Sequence, residues 1–333
     1  MKFKNRLLGA VAGAALLGGG QAALAMDNLT VAYFLEWPMP FQYAKATGMY
    51  DEALGVEVNW VSFDAGTAMS AAMASGDVQI SVSQGVPPFV VAASAGQDLQ
   101  IVDVAVSYSE NDNCVVAEAL EIDKDSAKEL EGKKVGVPIG TAAHYGFLKQ
   151  MNHFGVDITT MEIVDMAPAD GAAAFAQGNL DMVCGWGGAL RRMKEHGNVL
   201  LTGAEKEELG ILVFDVTSVP AGFAAENGEM LTKFLAVTAE ANAMWNAGEN
   251  TDEMLEVIAK DAGMDLDATK ETIETFIFPS VEEQLTGKWL GGGAQEFMLG
   301  VAKVFQDAGS IPASLDSYEA AVDSSYLAEA SDM

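Results

Sequence analysis

The sequence predicts a two-lobed α/β protein in which each lobe contains a parallel β-sheet covered by helices. Short apolar runs alternate with helical segments from residue 29 to about residue 106, and the alternation restarts at residue 114. Such alternation is typical of parallel sheets with helices on both faces. From about residue 226 the chain changes to helices joined by polar links. Two α/β units of similar size therefore predict two lobes, with the C-terminal helices packed on the first.

The first unit is predicted to contain four strands and three helices. The strands are expected at residues 29–33, 56–61, 78–82 and 99–106, and the helices at 38–47, at 67–74 and from Pro87 onward. A helix start at Pro87 and Pro88 is favoured because proline has no N–H to leave unpaired and its φ angle already suits a helix.

The second unit repeats this arrangement before the helical C-terminal region begins. Its strands are expected at residues 114–117, 134–137, 161–164 and 180–184, and its helices at 126–130, 141–154 and 171–177. The chain is expected to cross between lobes near residues 108–113 and again near 214–218. This predicts one lobe from residues 26–110 with 217–333, and a second from residues 111–216, with a ligand cleft between them.

The first 25 residues have the layout of a secretory signal peptide. Lys2, Lys4 and Arg6 precede an apolar run at 7–17, and Ala23-Leu24-Ala25 forms a small-x-small cleavage site. A membrane anchor is the alternative, but the run has only about half of the roughly twenty residues that span a bilayer. We therefore expect cleavage after Ala25 and a periplasmic mature protein.

The charge balance is strongly acidic. The chain has 18 basic and 48 acidic residues, for a formal net charge of −30. Nucleic acid and anionic membrane surfaces are therefore excluded as expected partners. Beyond the predicted signal peptide the arginines are Arg191 and Arg192. A bound anion must consequently rely mostly on backbone N–H groups, hydroxyls and indoles rather than on guanidinium groups.

The two cysteines, Cys114 and Cys184, each fall in a predicted strand. An even count in an oxidising compartment is compatible with a disulfide between neighbouring strands. Two buried free thiols remain an equal alternative on sequence alone.

Three predicted strand-to-helix turns are suited to an anion. They lie at residues 83–87, 138–144 and 185–188, and the second adds the hydroxyl of Thr141. Helix N-termini bind anions through unpaired N–H groups and the positive end of the helix dipole. Each turn alone is better explained as an ordinary helix start, with Thr141 as an N-cap. The occurrence of three such turns in two facing lobes makes anion binding an equal alternative.

Two carboxylates and two indoles are the candidates for the opposite end of a ligand. Glu36 follows the first strand, and Asp215 stands in an apolar run where an unpaired charge is costly. Trp37 and Trp186 each follow a strand, where an indole can cover a cationic group by cation–π attraction, although both could be core residues. Carboxylates opposite anion-binding amides predict a small ligand that carries both charges.

Motifs for metal, cofactor or catalytic chemistry are not found in the sequence. His144, His153 and His196 do not have the spacing of zinc ligands, and no phosphate-binding loop, dinucleotide fingerprint or nucleophile elbow occurs. We therefore predict no cofactor, no metal and no catalytic residue.

Several short motifs resemble those of the periplasmic substrate-binding proteins of taurine and alkanesulfonate ABC importers. They are LTVAY at 29–33, ASGDVQI at 74–80, LEGKKVGVP at 130–138, the turn at 141–145, and QGNLD at 177–181 before Trp186. The resemblance covers nearly all of the predicted mature chain. It is greatest with the taurine-binding proteins, through His144-Tyr145 and residues 214–216.

The resemblance implies a type II periplasmic-binding fold, with two α/β lobes joined by crossover strands. It implies that a small zwitterionic sulfonate is captured and delivered to an ABC permease and its ATPase by a monomeric protein. Sulfonate ligands carried over from the family are Gln84, Gly85, Val86, Thr141 and Ala142, with His144 as part of the same turn. The carried-over ammonium ligands are Asp215, Glu36 and Trp186.

Other ligands and one other class of protein remain open at this point. Hypotaurine, plain alkanesulfonates and nitrate are alternative solutes, although nitrate would leave Glu36 and Asp215 without a role. An exported enzyme on the same scaffold would need a nucleophile, for which Cys184 is the candidate.

Overall fold

The computed structural model describes residues 28–333, so the predicted signal peptide lies outside the described residues. The strands are β1 (Asn28–Tyr33), β2 (Glu57–Ser62), β3 (Ile80–Gly85), β4 (Leu99–Ser107), β5 (Asp112–Ala117), β6 (Lys134–Val137), β7 (Glu162–Asp165), β8 (Met182–Trp186), β9 (Gly197–Val199) and β10 (Phe214–Pro220). None of the helices in this part of the chain is both long and apolar enough to span a bilayer.

The helices fall between the strands and then dominate the C-terminal region. They are α1 (Phe41–Ala46), α2 (Met49–Leu54), α3 (Gly66–Ser75), α4 (Val86–Ser94), α5 (Ala142–Phe154), α6 (Pro168–Ala176), α7 (Gly187–Lys194), α8 (Gly203–Glu208), α9 (Ala221–Glu226), α10 (Gly228–Ala247), α11 (Thr251–Ala262), α12 (Leu266–Ile273), α13 (Val281–Gln284), α14 (Gly293–Asp307) and α15 (Ser325–Ala330). The predicted alternation and the predicted C-terminal helical region are thus both present.

The strands form two five-stranded sheets, as the repeated α/β pattern predicts. The first has the order β2-β1-β3-β10-β4 and the second the order β7-β6-β8-β5-β9. The prediction that both sheets are parallel is wrong at one strand in each. Strand β10 runs antiparallel to β3 and β4, and β5 runs antiparallel to β8 and β9.

The two reversed strands are the first strands after each crossing between lobes. Two parallel neighbours are joined by a connection, usually a helix, that carries the chain back to the opposite edge of the sheet. A chain that crosses from the other lobe has no such connection and enters the sheet at the edge facing that lobe. Strand β10 therefore starts where β3 ends, with Asp215 opposite Gly85. Strand β5 starts where β8 ends in the same way, with Asp112 opposite Trp186. The starts of β5 and β10 consequently lie beside the strand ends where ligands bind in open α/β sheets.

The predicted lobe boundary at residue 216 needs a small correction. Strand β10 begins at Phe214 and pairs with the first sheet, so residues 214–216 belong to the first lobe and not the second. Helix α14, in the C-terminal region, packs on α4 of the first lobe, as expected, and also on α5 of the second lobe. This helix therefore bridges the two lobes behind the cleft.

A disulfide joins Cys114 to Cys184 across the second sheet. The two residues lie directly opposite each other on β5 and β8, with a Cα–Cα distance of 3.9 Å. The bond therefore fixes the crossover strand β5 to its antiparallel neighbour β8, two residues beyond Asp112. The alternative of two free thiols is not what the structure shows.

Removing this bond by the double substitution Cys114→Ala and Cys184→Ala should lower the free energy of unfolding by roughly 4 kcal/mol, the loop-closure value for a separation of 70 residues. Thermal unfolding of parent and variant, each with and without a reductant, measures this. The reductant should lower the Tm of the parent only. An equal Tm for parent and variant under oxidising conditions would contradict the prediction.

Candidate ligand-binding cleft

A small cavity lies between the two sheets, at the ends where the crossover strands begin. Its lining residues come from both lobes and are Phe34, Trp37, Gly66, Gly85, Pro88, Tyr108, Asp112, Thr141, Ala142, Trp186 and Asp215. The enclosed volume is about 20 Å³, little more than one water molecule requires. A solute of several heavy atoms would therefore need a slightly wider separation of the lobes.

Asp215 is held at the cavity wall by a chain of hydrogen bonds. The Trp37 indole N–H donates to Ser83 Oγ at 2.9 Å, and the Ser83 hydroxyl donates to Asp215 Oδ2 at 2.7 Å. The Tyr108 hydroxyl donates to the other carboxylate oxygen, Oδ1. The site thus fixes the Asp215 carboxylate without any cationic partner within salt-bridge distance among the described residues.

Burial controls the protonation of this carboxyl group. Desolvation raises the pKa of Asp215 to about 8, although the hydrogen bonds from Tyr108 and Ser83 oppose the shift. A cationic group of a ligand would supply the missing charge partner and reverse the shift.

Asp112 is a second buried carboxylate in the same cavity, and the sequence analysis did not identify it. Desolvation raises the pKa of Asp112 to about 7, against the effect of the nearby Lys206. Its Oδ2 atom has no hydrogen-bond partner among the described residues. The only available sequence signal was a carboxylate within a predicted crossing, and acidic residues are too frequent in this chain for that to stand out.

The start of helix α5, which the sequence predicts to bind an anion, borders the cavity. Thr141 is the N-cap, and its Oγ accepts from the His144 N–H at 3.4 Å. The Thr141 hydroxyl donates its proton to the Pro138 carbonyl at 2.6 Å. It therefore cannot also donate to an anion, contrary to the expectation for this hydroxyl. The N–H groups of Ala142 and Ala143 open the helix and have no intrahelical acceptor.

Helix α3 contributes a second N-terminus that the sequence analysis did not assign to the site. Its N-cap, Ala65, has no capping side chain, so the N–H groups of Gly66 and Thr67 lack an intrahelical acceptor. A Cβ added at Gly140 would lie 3.3 Å from Thr67 Cγ2. The starts of α3 and α5, one from each lobe, therefore face each other closely.

The start of helix α4 is less suited to an anion than predicted. Pro87 and Pro88 occupy its first turn and have no N–H groups, while Gly85 lines the cavity. The Gln84 amide points away and donates to the Gly66 carbonyl at 2.7 Å. Gln84 and the buried Val86 thus support the site from behind and do not line it.

Glu36 lies at a second, larger cavity and is not part of the first. Its carboxylate accepts two bonds from the Arg192 guanidinium, at 2.9 and 3.0 Å, across the cleft between the lobes. This cavity has a volume of about 230 Å³ and shares Phe34 and Trp186 with the first. The pairing with Arg192 leaves the Glu36 carboxylate without a free charge for an ammonium ligand.

His144 holds the turn before helix α5 from outside the cavity. Its Nδ1 accepts from the Gly140 N–H at 3.2 Å, and its ring stacks on Phe305 of α14 at 5.2 Å. Burial lowers the pKa of His144 to about 4, so the imidazole is neutral at physiological pH. The residue orients the turn and does not line the cavity.

Aromatic rings enclose the cavity. Trp37 packs edge-on against Tyr108 with 4.6 Å between ring centroids, and Phe34 lies 6.1 Å from Trp186. Phe34 and Trp186 together separate the two cavities. An aromatic wall around buried carboxylates is a favourable environment for a cationic group.

The structure brings together only part of the predicted ligand set. The predicted residues that line the first cavity are Trp37, Gly85, Thr141, Ala142, Trp186 and Asp215. Those not predicted are Phe34, Gly66, Pro88, Tyr108 and Asp112. No group of three or more histidine, cysteine, aspartate or glutamate side chains suited to a metal occurs within residues 28–333.

The two sheets, the double crossover and the cleft define a periplasmic binding protein fold. The model matches the alkanesulfonate-binding protein SsuA of Xanthomonas axonopodis pv. citri, solved with MOPS, at a TM-score of 0.74 and 18% identity, over 90% of this chain and 98% of that one. The aliphatic sulphonate binding protein SsuA of Escherichia coli matches at a TM-score of 0.69 and 21% identity, over 88% and 96%.

The chain belongs to the NMT1/THI5-like family, whose model matches residues 38–247. A similar relative by sequence is the taurine-binding periplasmic protein of Escherichia coli strain K12. It is 27% identical over 306 residues, which is 90% of this chain and 92% of that protein. The family and the fold expected from the sequence motifs are thus confirmed.

The raised pKa of Asp215 predicts a pH-dependent effect of Asp215→Asn on stability. Between pH 3.8 and about 8 the folded protein retains a proton that the unfolded chain has lost, so stability falls as the pH rises through this window. Asparagine does not titrate, so the Tm of the variant minus that of the parent should grow from pH 5 to pH 9.

Thermal unfolding without ligand at both pH values measures this difference. Asp316→Asn, at an exposed position, makes the same change of charge outside the cleft and should leave the difference constant. A difference for Asp215→Asn that stays constant or shrinks as the pH rises would contradict the prediction.

Proposed function

We propose that this protein is the periplasmic solute-binding component of an ABC importer and that it captures taurine or a closely related small aminosulfonate. The observation that carries the proposal is the arrangement of one cavity. Helix N-termini with unpaired N–H groups, one from each lobe, border this cavity, and a buried, hydrogen-bonded carboxylate lines it as well.

The helix starts suit a sulfonate group. Four N–H groups, of Gly66 and Thr67 on α3 and of Ala142 and Ala143 on α5, are without intrahelical acceptors. No lysine or arginine is among the residues that line this cavity. A singly charged, weakly basic anion can be satisfied by neutral donors and helix dipoles alone. A doubly charged phosphonate would gain more from a guanidinium group, which the cavity does not offer.

Asp215 suits the ammonium group of the same ligand. Its carboxylate is oriented by Ser83 and Tyr108 and lies beside the ring of Trp37. A ligand ammonium would neutralise this charge in a site of low dielectric, where an unpaired charge is costly. The names of the sequence and structural relatives, which bind taurine or other sulfonates, support the same assignment.

The proposed mechanism is capture followed by delivery. Residues of both lobes must contact the ligand to satisfy its two charges, so the ligand binds the closed arrangement more tightly than the open one. The lobes would part a little to admit taurine and then close on it. The closed form would dock on the permease and release the ligand when the lobes reopen.

The alternatives fit the cleft less well. Nitrate or a plain alkanesulfonate would leave two buried carboxylates without a partner. An enzyme of the same fold with a cysteine nucleophile is disfavoured because the only two cysteines of the chain form a disulfide.

A ligand panel tests the proposal directly. Taurine, hypotaurine, isethionate, propanesulfonate and nitrate would be titrated calorimetrically into the protein without its first 25 residues, after a thermal-shift screen. We expect taurine or hypotaurine to bind at least tenfold more tightly than isethionate, which has a hydroxyl in place of the ammonium. At 100 times its Kd such a ligand should add about 2.7 kcal/mol of stability.

Asp215→Asn should reduce the preference for taurine over isethionate to less than threefold, and Asp316→Asn should leave it unchanged. Binding of plain sulfonates or nitrate in preference to taurine would refute the carboxylate assignment. Absence of binding by any sulfonate would refute the proposed function.

Ala142→Pro tests the role of the α5 amides. Ala142 is the first residue of the helix, where proline is tolerated, and Thr141 has the extended backbone that a following proline requires. The substitution removes one N–H donor, and it should weaken binding of taurine and isethionate by about tenfold each. Ala142→Val, which adds bulk but keeps the N–H, is the control. Equal losses for proline and valine would show a steric effect instead.

A further inference from the structure

Asp112 and Asp215 occupy equivalent places in the two lobes. Asp112 is the first residue of β5 and Asp215 the second residue of β10. Their partners, Trp186 and Gly85, are the last residues of β8 and β3. Both side chains are 2% exposed, and both line the first cavity. The topology thus places one buried carboxylate from each lobe against the same space.

The two carboxylates differ in their hydrogen bonds. Asp215 accepts from Ser83 and Tyr108, whereas Asp112 Oδ2 has no partner among the described residues. Lys206 is buried next to Asp112, but its Nζ donates to the main-chain carbonyl of Asp112 and not to the carboxylate. A buried acceptor without a donor costs free energy, so a donor from a ligand would be favourable at Asp112.

We propose that Asp112 and Asp215 together form a two-carboxylate subsite, one group from each lobe, for a primary ammonium group. The inference rests on the proposed function and names the chemical class that the cleft selects. A primary ammonium has three N–H donors and can supply Asp112 Oδ2 with its missing bond while it neutralises Asp215. A quaternary ammonium has no N–H and would leave Oδ2 unpaired, despite the aromatic wall.

Binding to this subsite should release a proton. The groups that face Asp112 are Lys206 on α8, Tyr108 before β5, and Asp215 on β10. Burial raises the pKa values of Asp112 and Asp215 to about 7 and about 8, and repulsion by Asp112 adds to the shift of Asp215. At neutral pH the pair therefore retains a proton without a ligand. An ammonium placed between them favours both ionised forms, and the proton passes to the solvent.

The experiment is calorimetric titration of taurine at pH 7 in two buffers of different ionisation enthalpy, phosphate and Tris. The parent, Asp112→Asn and Asp316→Asn are each titrated with taurine, N,N,N-trimethyltaurine and isethionate. The difference in enthalpy between buffers gives the number of protons released. Thermal unfolding of each variant without ligand verifies that it is folded, and Asp112→Ala replaces Asp112→Asn should the latter be unfolded.

For the parent and for Asp316→Asn we expect release of between one half and one proton with taurine and little with isethionate. We expect trimethyltaurine to bind at least tenfold more weakly than taurine. Asp112→Asn should weaken the binding of taurine at least tenfold and abolish most of the proton release. Its affinity for isethionate should change by less than threefold.

Three results would overturn the inference. The first is taurine affinity and proton release in Asp112→Asn that match the parent. The second is an equal loss of affinity for taurine and isethionate in Asp112→Asn, which would indicate that Asp112 only supports the local structure with Lys206. The third is a parent that binds trimethyltaurine as tightly as taurine. If the parent binds no sulfonate at all, the proposed function fails, and this inference fails with it.

Discussion

The site depends on one topological constraint: the chain enters each sheet from the side of the cleft. Parallel strands end at the cleft, so a strand that arrives from the other lobe must start there and run antiparallel to them. The first residues of β5 and β10 are therefore held beside the ends of β8 and β3 by sheet hydrogen bonds. Asp112 and Asp215 occupy these positions, and the disulfide two residues beyond Asp112 fixes one of them further. Rigid placement of this kind is what an electrostatic site needs, because displacement of a buried charge loses most of its interaction.

The same cavity is bordered by the positive ends of two helices, and no lysine or arginine is among the residues that line it. Helices α3 and α5 start at the cleft because each follows a strand that ends there, and neither has a lysine or an arginine in its first turn. Thr141 and His144 use their side chains to hold the α5 turn, which leaves main-chain N–H groups directed outward. Neutral donors match a sulfonate, whose charge is spread over three oxygens. The scarcity of arginine in the chain is consistent with this arrangement, and Arg192 contacts Glu36 instead.

The residues of the cleft lower the stability of the ligand-free protein. Two carboxylates are buried with few compensating charges, and their pKa values are raised accordingly. Such groups destabilise the ligand-free protein at neutral pH, and a cationic ligand removes the penalty. Relief of this penalty would therefore favour the closed, liganded arrangement over the ligand-free one. The Glu36–Arg192 pair adds a contact between the lobes at the cleft mouth, but both side chains are about 40% exposed, so its contribution is small.

The sequence alone determined the α/β class, the two units, the family and some of the residues that line the cavity. It did so because strand–helix alternation and turns such as 138–144 are local patterns that survive in any tertiary arrangement. The strand directions of β5 and β10 could not be read locally, because direction depends on the side from which the chain enters a sheet. The apolar run around Asp215 predicted a site role for it, and Glu36 was predicted beside it from its place after the first strand. Only the folded structure pairs Glu36 with Arg192 and leaves Asp215 in the cavity. The position of Asp112 in a predicted crossing was too weak a signal in so acidic a chain. Its importance comes from burial and from the absence of a donor, which are properties of the packed lobes and not of the neighbouring sequence.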